Sequence, residues 1–213
     1  EELVDLVQYD VPITAQILNR YKNFNERVSK NLKIKTVEFT STKAVKPYVK
    51  PVFDLINKTY TEIYGFTKLT EDEMTEFAER FLPLLNPKLI KMITDENGEL
   101  LAFIIAMADL SEAIKNSRGR ILPFGWARIL WAMKTSKRLQ LLLGAIHPNY
   151  QNKGLDAVLA TMLFGSALKL GFKTVDSHLI MKDNLKMRGE IEKLEGFNLY
   201  KEYCIFRKNL VVG

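Results

Sequence analysis

Arg138-Leu139-Gln140-Leu141-Leu142-Leu143-Gly144-Ala145-Ile146, then His147-Pro148-Asn149-Tyr150-Gln151-Asn152-Lys153-Gly154, then Leu155-Asp156-Ala157: this run decides how the chain reads. Its first nine residues have the apolar content of a central strand, and Pro148 in the polar segment after them ends the pairing. The segment from Leu155 to Leu170 has the length of a helix and stops at Gly171, a residue suited to a left-handed cap. A strand feeding a helix through a short polar loop exposes the first N–H groups of that helix, which have no internal partners and sit at the positive end of the helix dipole. Such a terminus suits phosphate oxygens. Gly154 has no Cβ to block a close approach, and Gln151, Asn152 and Lys153 add side-chain donors. The plainer alternative is a turn that needs its glycine and nothing else.

Outward from this unit the pattern continues as a mixed α+β chain. Lys173 to Met181 reads as a strand, Asn184 to Leu194 as a helix and Tyr200 to Lys208 as a last strand. Upstream, Leu89–Ile93 and Leu100–Met107 flank Asp95-Glu96-Asn97-Gly98, a hairpin signature. Leu32–Phe39 alternates with period two, and Ser41 or Thr42 caps a helix toward Tyr64 that Pro47 and Pro51 break or delay. Thr70 with Glu73 forms a capping box. Between the hairpin and the central strand lies a long insertion, Asp109 to Lys137, with an amphipathic helix near Leu122–Met133 that carries Trp126 and Trp131. Residues 1–31 read as a helical or irregular segment, a remnant of an upstream domain, ahead of a main domain at 32–213; the absence of an initiator methionine fits that reading.

With 213 residues, 47% hydrophobic and 26% charged, the chain is an ordinary globular composition. No apolar run reaches the length of a membrane span, and no leader precedes the first element, so a cytoplasmic protein with no membrane partner is expected. One cysteine and two histidines leave no Cys/His zinc set, so no metal is expected. Cys204 reads as a small buried apolar residue. The net charge of +6 favours a phosphorylated partner, but Arg118, Arg120, Arg128, Lys134, Lys137 and Arg138 form only a loose group. With no basic recognition helix or stacking motif, nucleic acid is not the expected partner.

The run Gly144–Asp156, followed by Gly171-Phe172, Asn184 and Glu195-Gly196-Phe197, resembles the acetyl-CoA-binding segment of GNAT-superfamily N-acetyltransferases. It looks most like bacterial members with a longer N-terminal region. The resemblance implies a GNAT-like α+β fold: a mixed, mostly antiparallel sheet flanked by helices, with the helical insertion between the third and fourth strands. It implies acetyl-CoA or another acyl-CoA as cofactor and an amine, small molecule or peptide, as acceptor, in a monomer or homodimer. Ile146 and His147 would meet the pantetheine arm, while Gln151, Asn152, Lys153, Gly154, Leu155, Asp156 and Ala157 would wrap the pyrophosphate. Asn184 would lie near the sulfur, with an ordinary helix cap as the alternative.

Two positions depart from the family pattern. Asp156 stands where a second small residue is usual. The tyrosine that protonates the departing thiolate is replaced by Ile191 or Glu192. Tyr203, with Tyr200 nearby, is a candidate proton donor from the next element. Asp176 and His178, two apart on a strand, share a face, so His178 can take a proton from an amine with Asp176 orienting it. Trp126 and Trp131 are candidate acceptor-pocket residues. Two functions follow: an N-acyltransferase working by direct attack of the amine, or a catalytically inactive module that binds acyl-CoA or another protein.

Overall fold

The computed structural model describes residues 2–117 and 125–208; Arg118, Arg120, Leu122 and Pro123 lie outside them. The elements run in the order β1 (Glu2–Pro12), α1 (Ala15–Leu32), β2 (Lys35–Glu38), α2 (Thr42–Val45), α3 (Val49–Thr59) and α4 (Glu71–Phe81). They continue with β3 (Ile90–Thr94), β4 (Leu100–Ala108), α5 (Ser111–Asn116), α6 (Gly125–Thr135), β5 (Arg138–Ile146) and α7 (Leu155–Lys169). The chain closes with β6 (Thr174–Asp176), β7 (Ile180–Met181), α8 (Leu185–Ile191) and β8 (Asn198–Phe206). Short 3-10 turns at Lys46–Tyr48 and Pro148–Tyr150 fall where Pro47 and Pro148 deny the backbone a donor. Thr70 caps α4 reciprocally with Glu73, as the sequence predicts.

The sheet is ordered β2-β3-β4-β5-β6-β1, and every pairing is antiparallel except β5 with β6. The N-terminal stretch differs from its expected helical or irregular form. Residues 2–12 are a strand inside this sheet, with β6 and β7 along one edge and β8 along the other. The physical reason is alternation: Val7, Tyr9 and Val11 are buried, while Gln8 and Asp10 point to the opposite face. Val7, Tyr9, Val11, Leu139 and Val175 pack with Leu163, Phe164 and Ala167 of α7 and Ile17 of α1 in one core. Residues 2–31 and 32–208 thus share one sheet and one core.

The two faces are covered differently. Helices α1 and α7 cover the face just described. On the other, Met92, Phe103, Ile105 and Ala145 pack against Val52, Phe53 and Ile56 of α3 and Met74 of α4. That second layer stops short of the β5, β6 and β1 end, where the same face carries Arg138, Gln140, Asp176, Gln8 and Asp10. Cys204 also departs from expectation: β8 has one pairing neighbour and little cover, and the thiol is exposed.

Candidate active site

The parallel pairing of β5 with β6 lasts only from Arg138↔Thr174 through Gln140↔Asp176. Beyond it, β5 runs on to Ile146 along β4, while the other chain breaks at residues 177–179 before resuming as β7. The two strands part, and the gap leads to the loop before α7. Gly144 and Ile146 turn their polar groups toward this gap. The Gly144 N–H donates to Tyr60 Oη (3.3 Å), which in turn donates to the Gly144 carbonyl (2.9 Å). The Ile146 carbonyl accepts from Gln151 Nε2 at 3.4 Å. His147 does not offer its backbone to the gap: its N–H donates to Leu101 O and its carbonyl accepts from Tyr150 N, both at 2.8 Å.

The loop holds two left-handed residues, Asn152 (φ 58°) and Gly154 (φ 85°), on either side of Lys153. Leu155, Asp156 and Ala157 follow as the first turn of α7, with the main-chain donors of a helix start. The reason for glycine at 154 differs from the expected close approach of a phosphate. A Cβ there would lie 2.8 Å from Phe24 Cζ and 3.1 Å from Val28 Cγ2, so its bare side faces α1. Asp156 is exposed, and its charge acts on Lys193, whose ammonium is held above its ordinary range first by Glu190. Lys153 stacks on Tyr150 at 5.3 Å, and Lys58 Nζ lies 2.7 Å from His147 Nε2, placing two cations beside the loop. Asn184 caps α8 through Met187 N at 3.1 Å. A helix start with left-handed residues before it, flanking cations and a strand edge held by side chains instead of a neighbouring strand suits the phosphates and amide arm of coenzyme A.

On the α5–α6 side a cleft of about 1410 Å³ opens over the point where the strands part. Asp176, His178, Tyr203 and Trp131 all line it, together with Gln140, Arg138 and Tyr200; Trp126 is not among its lining residues. The expected Asp176–His178 contact takes another form. Asp176 is 3% exposed, and its Oδ1 accepts from Gln8 Nε2 (2.6 Å) and from the His178 main-chain N–H (2.9 Å). Its Oδ2 accepts from Tyr200 Oη at 2.5 Å and lies 3.2 Å from Arg138 Nη2. The carboxylate therefore fixes the backbone around His178 and leaves its ring, exposed in the cleft, to other partners.

His178 itself sits at φ 61°, a costly conformation for a residue with a side chain. Ser177 holds it there: Ser177 Oγ donates to the His178 carbonyl (2.9 Å) and accepts from Tyr9 N (2.9 Å). Arg138 stacks on Tyr200 at 4.5 Å and reaches Asp10 at 3.3 Å, but its Nε and Nη2 make no directed hydrogen bond among the described residues. The Tyr200 phenol is pushed well above its ordinary value, first by burial and then by the bond to Asp176. Gln8, Asp10 and Ser177 escaped the sequence reading because β1 was not recognised as part of the sheet. Of the two residues expected at the position of the missing tyrosine, Ile191 is buried and Glu192 is bonded to Tyr9 Oη, with Arg188 reaching both Tyr9 and Glu192.

Comparison with solved structures places this architecture. The chain matches a tandem GNAT protein from the clavulanic acid biosynthesis pathway with a TM-score of 0.56 and 12% identity, over 96% of this chain and 53% of that one. It matches a GCN5-related N-acetyltransferase from Sphaerobacter thermophilus at 0.55 and 9% identity, over 96% and 51%. The fold is the GNAT fold. No family model matches the sequence. Among curated proteins it is similar to a bacterial ceramide synthase of Caulobacter vibrioides, 24% identical over 168 residues, covering 76% of this chain and 43% of that protein. It is also similar to protein YghO of Escherichia coli, 27% identical over 164 residues, covering 74% and 41%. The chain thus spans less than half the length of these relatives. Within the GNAT fold described here, the α5–α6 insertion is the element that walls the cleft. Among the described residues no metal-binding cluster is present and no helix is long and apolar enough to cross a membrane.

Proposed function

We propose that this protein is an acyl-CoA-dependent N-acyltransferase acting on an amine by direct attack, and that the acceptor is a long-chain amine. The observation that carries the reading is the parting of β5 and β6 between two sites, the start of α7 on one side and the polar cleft on the other. The bound thioester supplies the carbonyl that the amine attacks; the C–S bond breaks as the amide forms, and the thiol leaves with a proton.

The protein's own groups have separable tasks. The loop 151–157 and the cations Lys58 and Lys153 bind and orient the phosphates, which fixes the thioester in the gap. The Ile146 edge receives the amide arm, and Tyr60 yields its place on Gly144 to it. His178, held at a strained backbone and exposed in the cleft, accepts the proton of the attacking amine. Tyr203, whose Oη donates to Gln8 Oε1 at 3.3 Å, faces the same space and is the candidate donor to the departing thiolate. Trp131, Ala132 and Leu179 give the acceptor an apolar wall, and Gln140 and His178 give it a polar end. The similarity to a ceramide synthase, a protein named for amide formation on a long-chain amino alcohol, supports this acceptor class.

A second reading, an acyl-CoA-binding module without turnover, is favoured by one observation: of the two residues aligned with the usual tyrosine, Ile191 is a buried apolar side chain and Glu192 is bonded to Tyr9 and Arg188. A thiol-release assay over short and long amines, with acetyl-CoA and long-chain acyl-CoA, separates the two. Release that requires a long-chain amine supports the enzyme, and binding without release supports the module.

A further inference from the structure

Helix α6 is apolar on nearly every side. Ile129, Ala132 and Met133 are partly buried toward the protein, yet the outward surface carries Trp126 at 52% exposure, Leu130 at 51% and Trp131 at 69%. Ile114 on α5, which packs beside α6, is 51% exposed. Large rings and a leucine left in water are costly unless something covers them. The charges beside them are mainly positive: α6 carries Arg128 and Lys134 and no acid, and the shorter α5 carries Lys115 and Glu112. A second exposed apolar group, Phe77, Phe81 and Leu84 near α4, lacks this character, because Glu71, Asp72 and Glu73 open its helix.

We infer that the outward face of α5–α6 docks on an anionic phospholipid surface. A helix with aromatic and aliphatic side chains outward and cations among them lies in the interface between headgroups and acyl chains, without spanning the bilayer. Trp is the residue suited to that boundary, having an apolar body and a polar N–H. Lys134, between Leu130 and Trp131 on the helix surface, reaches outward to phosphates while its stem stays among the apolar groups. Trp131 belongs to both the outward face and the cleft, so the docked face sets the cleft mouth against the lipid. The inference stands on the exposed face and its charge, and reaches beyond the proposed reaction; together with that reaction it places a lipid amine at the point of entry.

The chain's two tryptophans are both on α6, so its own fluorescence reports the contact. The purified protein is mixed with phosphatidylcholine vesicles with and without phosphatidylglycerol, and emission, sedimentation and quenching by lipids brominated on the acyl chain are followed. The expected result is a blue shift, quenching and co-sedimentation with the anionic vesicles, weakened by salt. Lys134→Gln should weaken binding about fivefold. Leu130→Ser should weaken it about tenfold or more, and far-ultraviolet circular dichroism melts check that both variants are folded. The inference is overturned if emission and sedimentation are unmoved by anionic vesicles, or if both folded variants bind as well as the parent. It is also overturned if the rings are already shielded in a dimer without lipid, which would make a second copy the occupant. Vesicle binding without acyl-CoA binding would leave this inference standing and remove the proposed reaction; the opposite pair of results would do the reverse.

Discussion

Gly154→Ala is the perturbation whose cost can be worked out most completely. At φ 85° an L residue pays for the left-handed region, about 1–2 kcal/mol. The new Cβ also falls 2.8 and 2.9 Å from Phe24 Cζ and Cε1 and 3.1 Å from Val28 Cγ2. Phe24 is 39% exposed and its ring can swing outward, whereas Val28 is buried and cannot, so overpacking costs near the lower end of about 1–3 kcal/mol. The expected loss is about 2–3 kcal/mol. Urea denaturation measures it as a shift in midpoint at constant slope. A cycle with Val28→Ala separates the causes: its coupling energy should recover the overpacking part, about 1 kcal/mol, and leave the backbone part. Gly165→Ala is the control, since nothing lies within 4 Å of its added Cβ, and it should be neutral or stabilising by up to about 1 kcal/mol. A loss at Gly154 below about 0.5 kcal/mol, or no coupling to Val28, would refute the reasoning.

Three further outcomes follow from the same geometry. His178→Gln should lower kcat by about 10²–10⁴ while CoA affinity, measured by titration, stays unchanged; equal losses in both would make His178 a binding residue instead. Trp131→Ala should raise KM for the acceptor and leave CoA affinity alone, and Trp126→Ala, outside the cleft lining, should not move acceptor KM. Tyr200 has its folded pKa raised, so its contribution to stability is complete below the unfolded phenol value near 10 and is lost as pH rises through the folded value. In Tyr200→Phe the alkaline fall in stability, about 1.4 kcal/mol per pH unit for one proton, should be reduced, as read by denaturant titrations above pH 10. An unchanged slope would remove Tyr200 as its source.

The fold was legible where periodicity and turn chemistry agreed. The hairpin around Asn97-Gly98, the capping box at Thr70 and the β5–loop–α7 unit each combine a hydrophobic period with a residue that fixes a turn or cap. β1 was hidden because Asp5, Gln8 and Asp10 interrupt its apolar residues, and because Gln8 and Tyr9 find their partners Asp176 and Ser177 168 residues away. That omission carried into the site. Asp176, His178 and Tyr203 were read as candidate catalytic groups and Trp131 as a candidate acceptor-pocket residue, and one cleft brings the four side chains together. The role of Asp176 depends on Gln8, Arg138 and Tyr200, three residues on three strands, which no local pattern joins. The need for glycine at 154 has a source that local sequence cannot show: the space a Cβ would take is filled by Phe24 and Val28 of α1.

The most direct test of the central claim is calorimetric titration of the protein with CoA and with a long-chain acyl-CoA, repeated after Lys58→Ala and Lys153→Ala. The account predicts saturable binding at one site per chain, weakened by each substitution and by salt, as expected of phosphates held at the start of α7 beside two cations. Absence of binding at millimolar CoA in a folded sample, or binding indifferent to both substitutions, would contradict it.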